Sequence, residues 1–284
     1  MYLKFFGLSE RPFSITPDMN FFFMGKQQER AMDTLLYGIN ERLGIVMLTG
    51  EVGTGKTMMT RALMSRLPDE IDTALIVNPL LSVPELLQAI TKDFGIAVKH
   101  PSPQRQIDAL NRFLLTRAEA GRNAVVVIDE AQSLSFEALE ALRMLTNLET
   151  DKHKLLQIML VGQPELLRKV KSHELRQLRQ RITACCHLMP LTLTEMTRYV
   201  SHRLYTAGGQ GRVFFDRKAY TMIFSESKGV PRVVNLLCDR ALMAAFVMES
   251  MVIDRRVMRT ALADWQGGER RSPWAFLKRL VFSS

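Results

Sequence analysis

The run "GIVMLTGEVGTGKTMMTRALMSRL", residues 44–67, constrains this chain more than any other stretch. An apolar segment, 44–50, leads straight into a glycine-rich turn, and the turn leads into a helical pattern. Glycines free the turn to curl so that its N–H groups converge on one point. A helix starting there aims the positive end of its dipole at the same point. The spacing Gly50, four residues, Gly55, Lys56, Thr57 is the phosphate-cradling pattern. It predicts Lys56 on the β and γ phosphates and the Thr57 hydroxyl on Mg²⁺. We therefore read Gly50, Glu51, Val52, Gly53, Thr54, Gly55, Lys56, Thr57 and Met58 as nucleotide-binding, with ATP and Mg²⁺ as the expected cofactors. The competing reading is a glycine-rich turn without a ligand. The strand before it and the helix after it argue against that.

Further apolar runs follow: "DTALIVN" (72–78), "NAVVVIDE" (123–130), "KLLQIMLVG" (154–162) and "TACCHLMPL" (183–191). With 44–50 they read as buried strands, apolar on both faces as parallel strands covered by helices must be. Helical patterns separate them, so the expected fold is α/β, a doubly wound parallel sheet. After Pro190 the strands are expected to stop. Four helical patterns succeed one another, with Thr194, Asp216 and Pro231 as starts and Gly208-Gly209 and Gly229 as stops. The expected boundaries are 1–43 for an N-terminal linker and helix, 44–191 for the α/β core, 192–266 for a helical lid and 267–284 for a tail.

A phosphate loop requires an acidic partner at the end of a neighbouring strand. "AVVVIDEAQ" supplies it: Asp129 would hold Mg²⁺, and Glu130 would polarise the attacking water. The competing reading is that the Asp-Glu pair caps the next helix. Charge developing on the γ-phosphoryl group can be met by an arginine. "HELRQLRQRIT" carries Arg176, Arg179 and Arg181, and "GVPRVVN" carries Arg232. From the residues alone, solvated or salt-bridged arginines are the favoured reading.

Three cysteines, two of them adjacent, give neither a disulfide framework nor zinc spacing and fit a reducing compartment. Cys185 and Cys186 are expected to be plain core residues of a buried strand. The Phe21–Phe23 run is expected to be packing, with a partner surface as the competing reading. The start lacks a signal-peptide pattern. No apolar run approaches the ~18 residues of a membrane span. A cytoplasmic protein is expected, either free or peripheral at the inner membrane. The net charge of +9 fits nucleic acid, an anionic membrane surface or an acidic protein as partner, and equally a basic protein with no such partner.

Several stretches together resemble the AAA+ ATPases of the ExeA/GspA type: "MYLKFFGLSERPFSITPD", "LLYGI", "LTGEVGTGKT", "VVVIDEAQSLS", "LTNLETDKHKLLQIMLVGQPEL", "LRQLRQRI" and "GVPRVVNLLCDRAL". The resemblance covers about residues 1–265. It implies a five-stranded parallel sheet in the order 5-1-4-3-2 with a C-terminal all-helical lid. It places Gln163 at the sensor-1 position, where many relatives have Asn, and Arg232 at the sensor-2 position. Arg181 best matches the arginine finger, with Arg179 the nearest competitor. A finger acting in trans implies a homo-oligomer, a ring or filament. The family also implies that "PFSITPD" packs near the adenine. Secretion-type members continue through a membrane span into a peptidoglycan-binding part. With only 267–284 after the lid in this sequence, the shorter pilus-biogenesis type is the expected match in architecture.

Two functions are weighed. The first is an ATP-driven assembly factor for an envelope machine, a type IV pilus or a type II secretion-like system, with an envelope-assembly protein as partner. The tail "RRSPWAFLKRLVF" mixes large apolar and basic residues, which suits an anionic bilayer surface or equally a protein-docking helix. The second is a DNA-acting ATPase that regulates transposition or replication initiation, with "RKVKSHELRQLRQR" as a phosphate track. The first is favoured, because the finger claims the same arginines and no helix-turn-helix domain is appended.

Overall fold

The computed structural model describes residues 2–77, 80–150, 154–209 and 211–265. The chain divides into two units. One comprises Lys26–Val52 and Lys56–Met189; the other comprises Met1–Gly25, Gly53–Gly55 and Pro190–Ser284. The first residues therefore belong with the C-terminal helices, and are not part of one N-terminal segment running to residue 43. The short helix α1 (Tyr2–Phe6) opens the chain, and α2 (Lys26–Asn40) opens the α/β unit.

In the α/β unit the strands are β1 (Ile45–Gly50), β2 (Ile71–Ile76), β3 (Asn123–Ile128), β4 (Gln157–Gly162) and β5 (Ile182–Leu188). Among the described residues they form one parallel sheet in the order β2-β3-β4-β1-β5, the expected order read from the other edge. Helices α3 (Lys56–Met64), α4 (Val83–Asp93), α5 (Pro103–Glu119), α6 (Phe136–Leu145), α7 (Pro164–Val170) and α8 (Arg176–Arg181) make the connections. The central strands β1, β3 and β4 are buried at every position, which is why they read as unbroken apolar runs. One face packs Met47, Val126 and Leu160 against Leu86, Ile90, Leu110 and Leu139. On α2, a Cβ at Gly38 would stand 2.5 Å from Val46 Cγ1, so glycine lets this helix lie close on β1.

The edge strands differ from the expectation. β5 alternates between half-buried and exposed residues, and Cys185 is exposed with Cys186 half-buried. Cys185 is therefore not a core residue: an edge strand has a neighbour on one side only, and its outward side chains meet solvent.

The second unit contains α9 (Leu193–Thr206), α10 (Arg217–Ser227), α11 (Pro231–Val247) and α12 (Arg255–Trp265). It is not purely helical, because β6 (Phe214–Phe215) and β7 (Val252–Ile253) pair in parallel. Runs of two residues show no periodicity, so the sequence could not announce them. The start of α9 is capped by Thr192, not Thr194; its hydroxyl accepts from the Glu195 N–H while Glu195 reaches back to the Thr192 N–H. Asp216 caps α10 as expected.

The N-terminal aromatics complete this unit's core. Tyr2, Phe6, Phe13 and Phe21 are buried with Met196, Leu237 and Met258, each apolar side chain contributing roughly 1.5–3 kcal/mol. The Tyr2 hydroxyl donates to Asp239 at 2.7 Å. Arg203, 7% exposed, donates to the carbonyls of Pro12 and Ser14 and lies over the Phe21 ring. A buried guanidinium is costly unless its donors are satisfied, and carbonyls with an aromatic face do that here. Phe21 and Phe23 thus serve packing, as expected. The tail, 267–284, lies outside the described residues.

Candidate nucleotide site

Within the α/β unit, β1 delivers Gly50 to the mouth of the phosphate loop, and α3 begins at Lys56. Lys56 is 5% exposed, and its Nζ donates to the carbonyls of Gly50 (2.9 Å) and Glu51 (3.1 Å). Burial pushes its ammonium pKa down, while Glu130, Asp129, Glu51 and Glu165 pull it back up. The backbone is left-handed at Gly53 and Gly55, with φ of +81° and +98°, conformations that glycine adopts without a side-chain penalty.

The Thr57 hydroxyl donates to Asp129 Oδ2 at 2.9 Å. Asp129 lies just past β3 and is 4% exposed; its N–H donates to the Ile76 carbonyl. A hydroxyl and a carboxylate oxygen so placed are hard oxygen donors of the kind Mg²⁺ takes, with nucleotide oxygens and water completing the shell. Among the described residues there is no cluster of three or more His, Cys, Asp or Glu that could hold a metal by itself. The residues present fit a metal shared with a nucleotide.

Glu130 is left-handed, φ +54°, a conformation costing an L-residue roughly 1–2 kcal/mol. Its N–H donates to Asp129 Oδ1. Glu130 stands at the N-cap position of the 3-10 turn Ala131–Ser133 but makes no side-chain capping bond there, and α6 is capped by Ser135, whose hydroxyl accepts from the Ala138 N–H. Glu130 Oε2 accepts from Gln132 Nε2 at 2.6 Å and from Gln163 Nε2 at 3.1 Å. Gln163 sits between β4 and α7, so the structure brings Lys56, Thr57, Asp129, Glu130 and Gln163 together at the strand ends. Gln132 was missed by sequence reasoning. The only signal was its place two residues after Glu130, in a turn too short to carry a pattern.

The arginines stand on other elements. Arg176 and Arg179 on α8 are exposed, and Arg181 is half-buried with its guanidinium donating to Asn147 Oδ1 at 3.1 Å. In the second unit, the Arg232 N–H donates to the Gly53 carbonyl, and a Cβ at Gly53 would stand 2.8 Å from Arg232 Cβ. The Arg232 side chain is exposed.

Residues 39–170 match the family model described as AAA domain. The chain is 46% identical over 251 residues to general secretion pathway protein A of Aeromonas hydrophila, covering 88% of this chain and 46% of that protein. The chain thus spans about half the length of the curated relative it matches. Among solved structures it is similar to the ORC2 protein of Aeropyrum pernix, at 17% identity and a TM-score of 0.65, covering 90% of this chain and 71% of that one. It is also similar to the RuvB Holliday junction branch migration motor of Thermotoga maritima, at 20% identity and a TM-score of 0.56, covering 84% and 69%. At those identities the two structures bear on the fold alone. The phosphate loop, the strand order and the identity to the secretion protein converge: the chain belongs to the AAA+ ATPases of the ExeA/GspA type.

Proposed function

We propose that this protein hydrolyses ATP in a homo-oligomer and uses the turnover to drive assembly of a bacterial envelope machine, a type IV pilus or a type II secretion-like system. The observation that carries the envelope role is the identity to general secretion pathway protein A along 88% of the chain. The site geometry supports the hydrolysis.

In this reading Lys56 turns from the Gly50 and Glu51 carbonyls to the β and γ phosphates. Thr57 and Asp129 hold Mg²⁺, which when bound neutralises charge on the phosphoryl oxygens. Glu130, anchored through one oxygen, keeps the other for a water proton. Gln163 reports the γ-phosphate position to β4. Arg232 contacts phosphate, and Arg181, or its competitor Arg179, enters the neighbouring subunit's site. "PFSITPD" packs near the adenine. An envelope-assembly protein is the partner, and residues 270–284 hold the ATPase at an anionic inner-membrane surface.

ATP turnover by the whole chain, measured alone, with anionic liposomes and with duplex DNA, tests this. Stimulation and co-sedimentation with liposomes, abolished by deleting 270–284 and weakened by salt, are expected. Stimulation by DNA alone would overturn the envelope reading in favour of a DNA-acting ATPase.

A further inference from the structure

Gln132 has no assigned part in the reaction, yet its side chain is tied at both ends. Its carboxamide faces a carboxylate on one side and a backbone N–H on the other. Gln132 Nε2 meets Glu130 Oε2 at 2.6 Å, and Gln132 Oε1 meets the Gln163 N–H at 3.0 Å. A backbone N–H only donates and a carboxylate only accepts, so these partners fix which end of the amide is oxygen. Gln163 Nε2 closes the cycle on the same Glu130 oxygen, at 3.1 Å.

The surroundings are shaped for this amide. Gly162 ends β4, and a Cβ there would stand 2.8 Å from Gln132 Oε1. Any side chain at 162 would drive the amide away. The backbone of the Gln132 turn is held as well: Lys169 Nζ donates to the carbonyls of Gln132 (3.0 Å) and Leu134 (2.6 Å). Glu130 itself sits in left-handed backbone, so its side chain has no helix or strand to set its direction.

We infer that Gln132 is a positioning residue: its amide aims the Glu130 carboxylate and couples it rigidly to the end of β4, where Gln163 lies. With Oε2 bound by two amides, Oε1 is the oxygen presented to a water. A shift at Gln163 passes through its own N–H to Gln132 and so to the carboxylate. This rests on the reading of Glu130 as the water-polarising group.

The test is a double-mutant cycle in the whole chain, read as single-turnover hydrolysis at saturating Mg-ATP, with ATP affinity measured separately. Gln132→Met keeps length and loses both bonds. Gln132→Glu keeps the acceptor for the Gln163 N–H, loses the donor to Glu130, and guards against a folding defect. Both are expected to slow hydrolysis about 10–10²-fold, the usual cost of a misaimed group, with ATP affinity within about twofold of the unmodified protein. Added to Glu130→Gln, either should cause no further loss, because a positioning residue acts only through the group it positions. A role in stability alone would instead multiply the two losses. Unaltered hydrolysis in Gln132→Glu, or losses that multiply, would overturn the inference while leaving Glu130 in place. Full activity in Glu130→Gln would overturn the reading beneath it.

Discussion

Thr57 Oγ1 and Asp129 Oδ2 stand 2.9 Å apart, joining the first turn of α3 to the end of β3 although 72 positions separate them in sequence. In the proposed mechanism this pair holds the metal, and the phosphates lie beside it. Lys56 belongs to the same cluster and carries the charge. Lys56→Ala should weaken ATP binding about 10–100-fold, the worth of a charge-assisted hydrogen bond. Titration with a fluorescent ATP analogue checks this. Asp129→Asn should instead raise the Mg²⁺ concentration needed for half-maximal turnover.

Arg181 is expected to act on a neighbouring subunit. Arg181→Ala should bind ATP normally and hydrolyse it up to ~10³–10⁵-fold more slowly. Mixing it with Lys56→Ala protein should restore part of the rate, because each variant spoils a different face. Specific activity independent of protein concentration would count against the finger. A larger loss in Arg179→Ala than in Arg181→Ala would move the assignment by two residues.

Gly229 is a position where only glycine fits. Its φ is +78°, and a Cβ would stand 1.9 Å from the Leu191 carbonyl oxygen, in a segment where the Leu191 N–H donates to the Gly229 carbonyl. Gly229→Ala should cost roughly 3 kcal/mol or more, combining left-handed strain with a backbone clash. Gly95 has φ +73° and nothing within 4 Å of a new Cβ. Gly95→Ala should therefore cost only about 1–2 kcal/mol. Urea unfolding midpoints of the two variants separate these terms.

His202 should make stability depend on pH. Burial pushes its pKa down, Arg203 adds to this, and a hydrogen bond with the Phe22 backbone opposes it. A base depressed in the folded state gains protons on unfolding. Stability is then full above the unfolded value of about 6.5 and falls as pH drops through it toward the folded value. The melting temperature should decline between about pH 7 and pH 5, and His202→Gln should flatten that part of the decline.

The α/β unit was legible because its signals are long or chemically specific. Val125–Ile128 and Ile158–Val161 are unbroken apolar runs, and the glycines of 50–57 have one well-known use. Edges and short contacts were not legible. Ile182–Leu188 reads as apolar, and nothing in it tells that, among the described residues, no strand pairs with its outer side. Thr194 reads as the cap of α9 because it stands next to Glu195, and the structure moves the cap to Thr192, three residues before the Glu195 side chain that turns back to it. Phe214–Phe215 and Val252–Ile253 are too short to show a period. Gln132 is one glutamine in a turn, and only three dimensions reveal that Gly162 leaves room for it.

The grouping of residues 2–25 with the C-terminal helices has a consequence for how the chain is made. Tyr2, Phe6, Phe13 and Phe21 are synthesised before the side chains that cover them, which begin at Leu191 and run to Ala261. The whole α/β unit can be synthesised before the earliest aromatics have anything to bury against. A nascent chain therefore carries these aromatics uncovered until residues 191–261 are made, and a polypeptide cut after residue 190 would keep them so for good. Such a fragment should aggregate or recruit chaperones, although the α/β unit it contains has its own core.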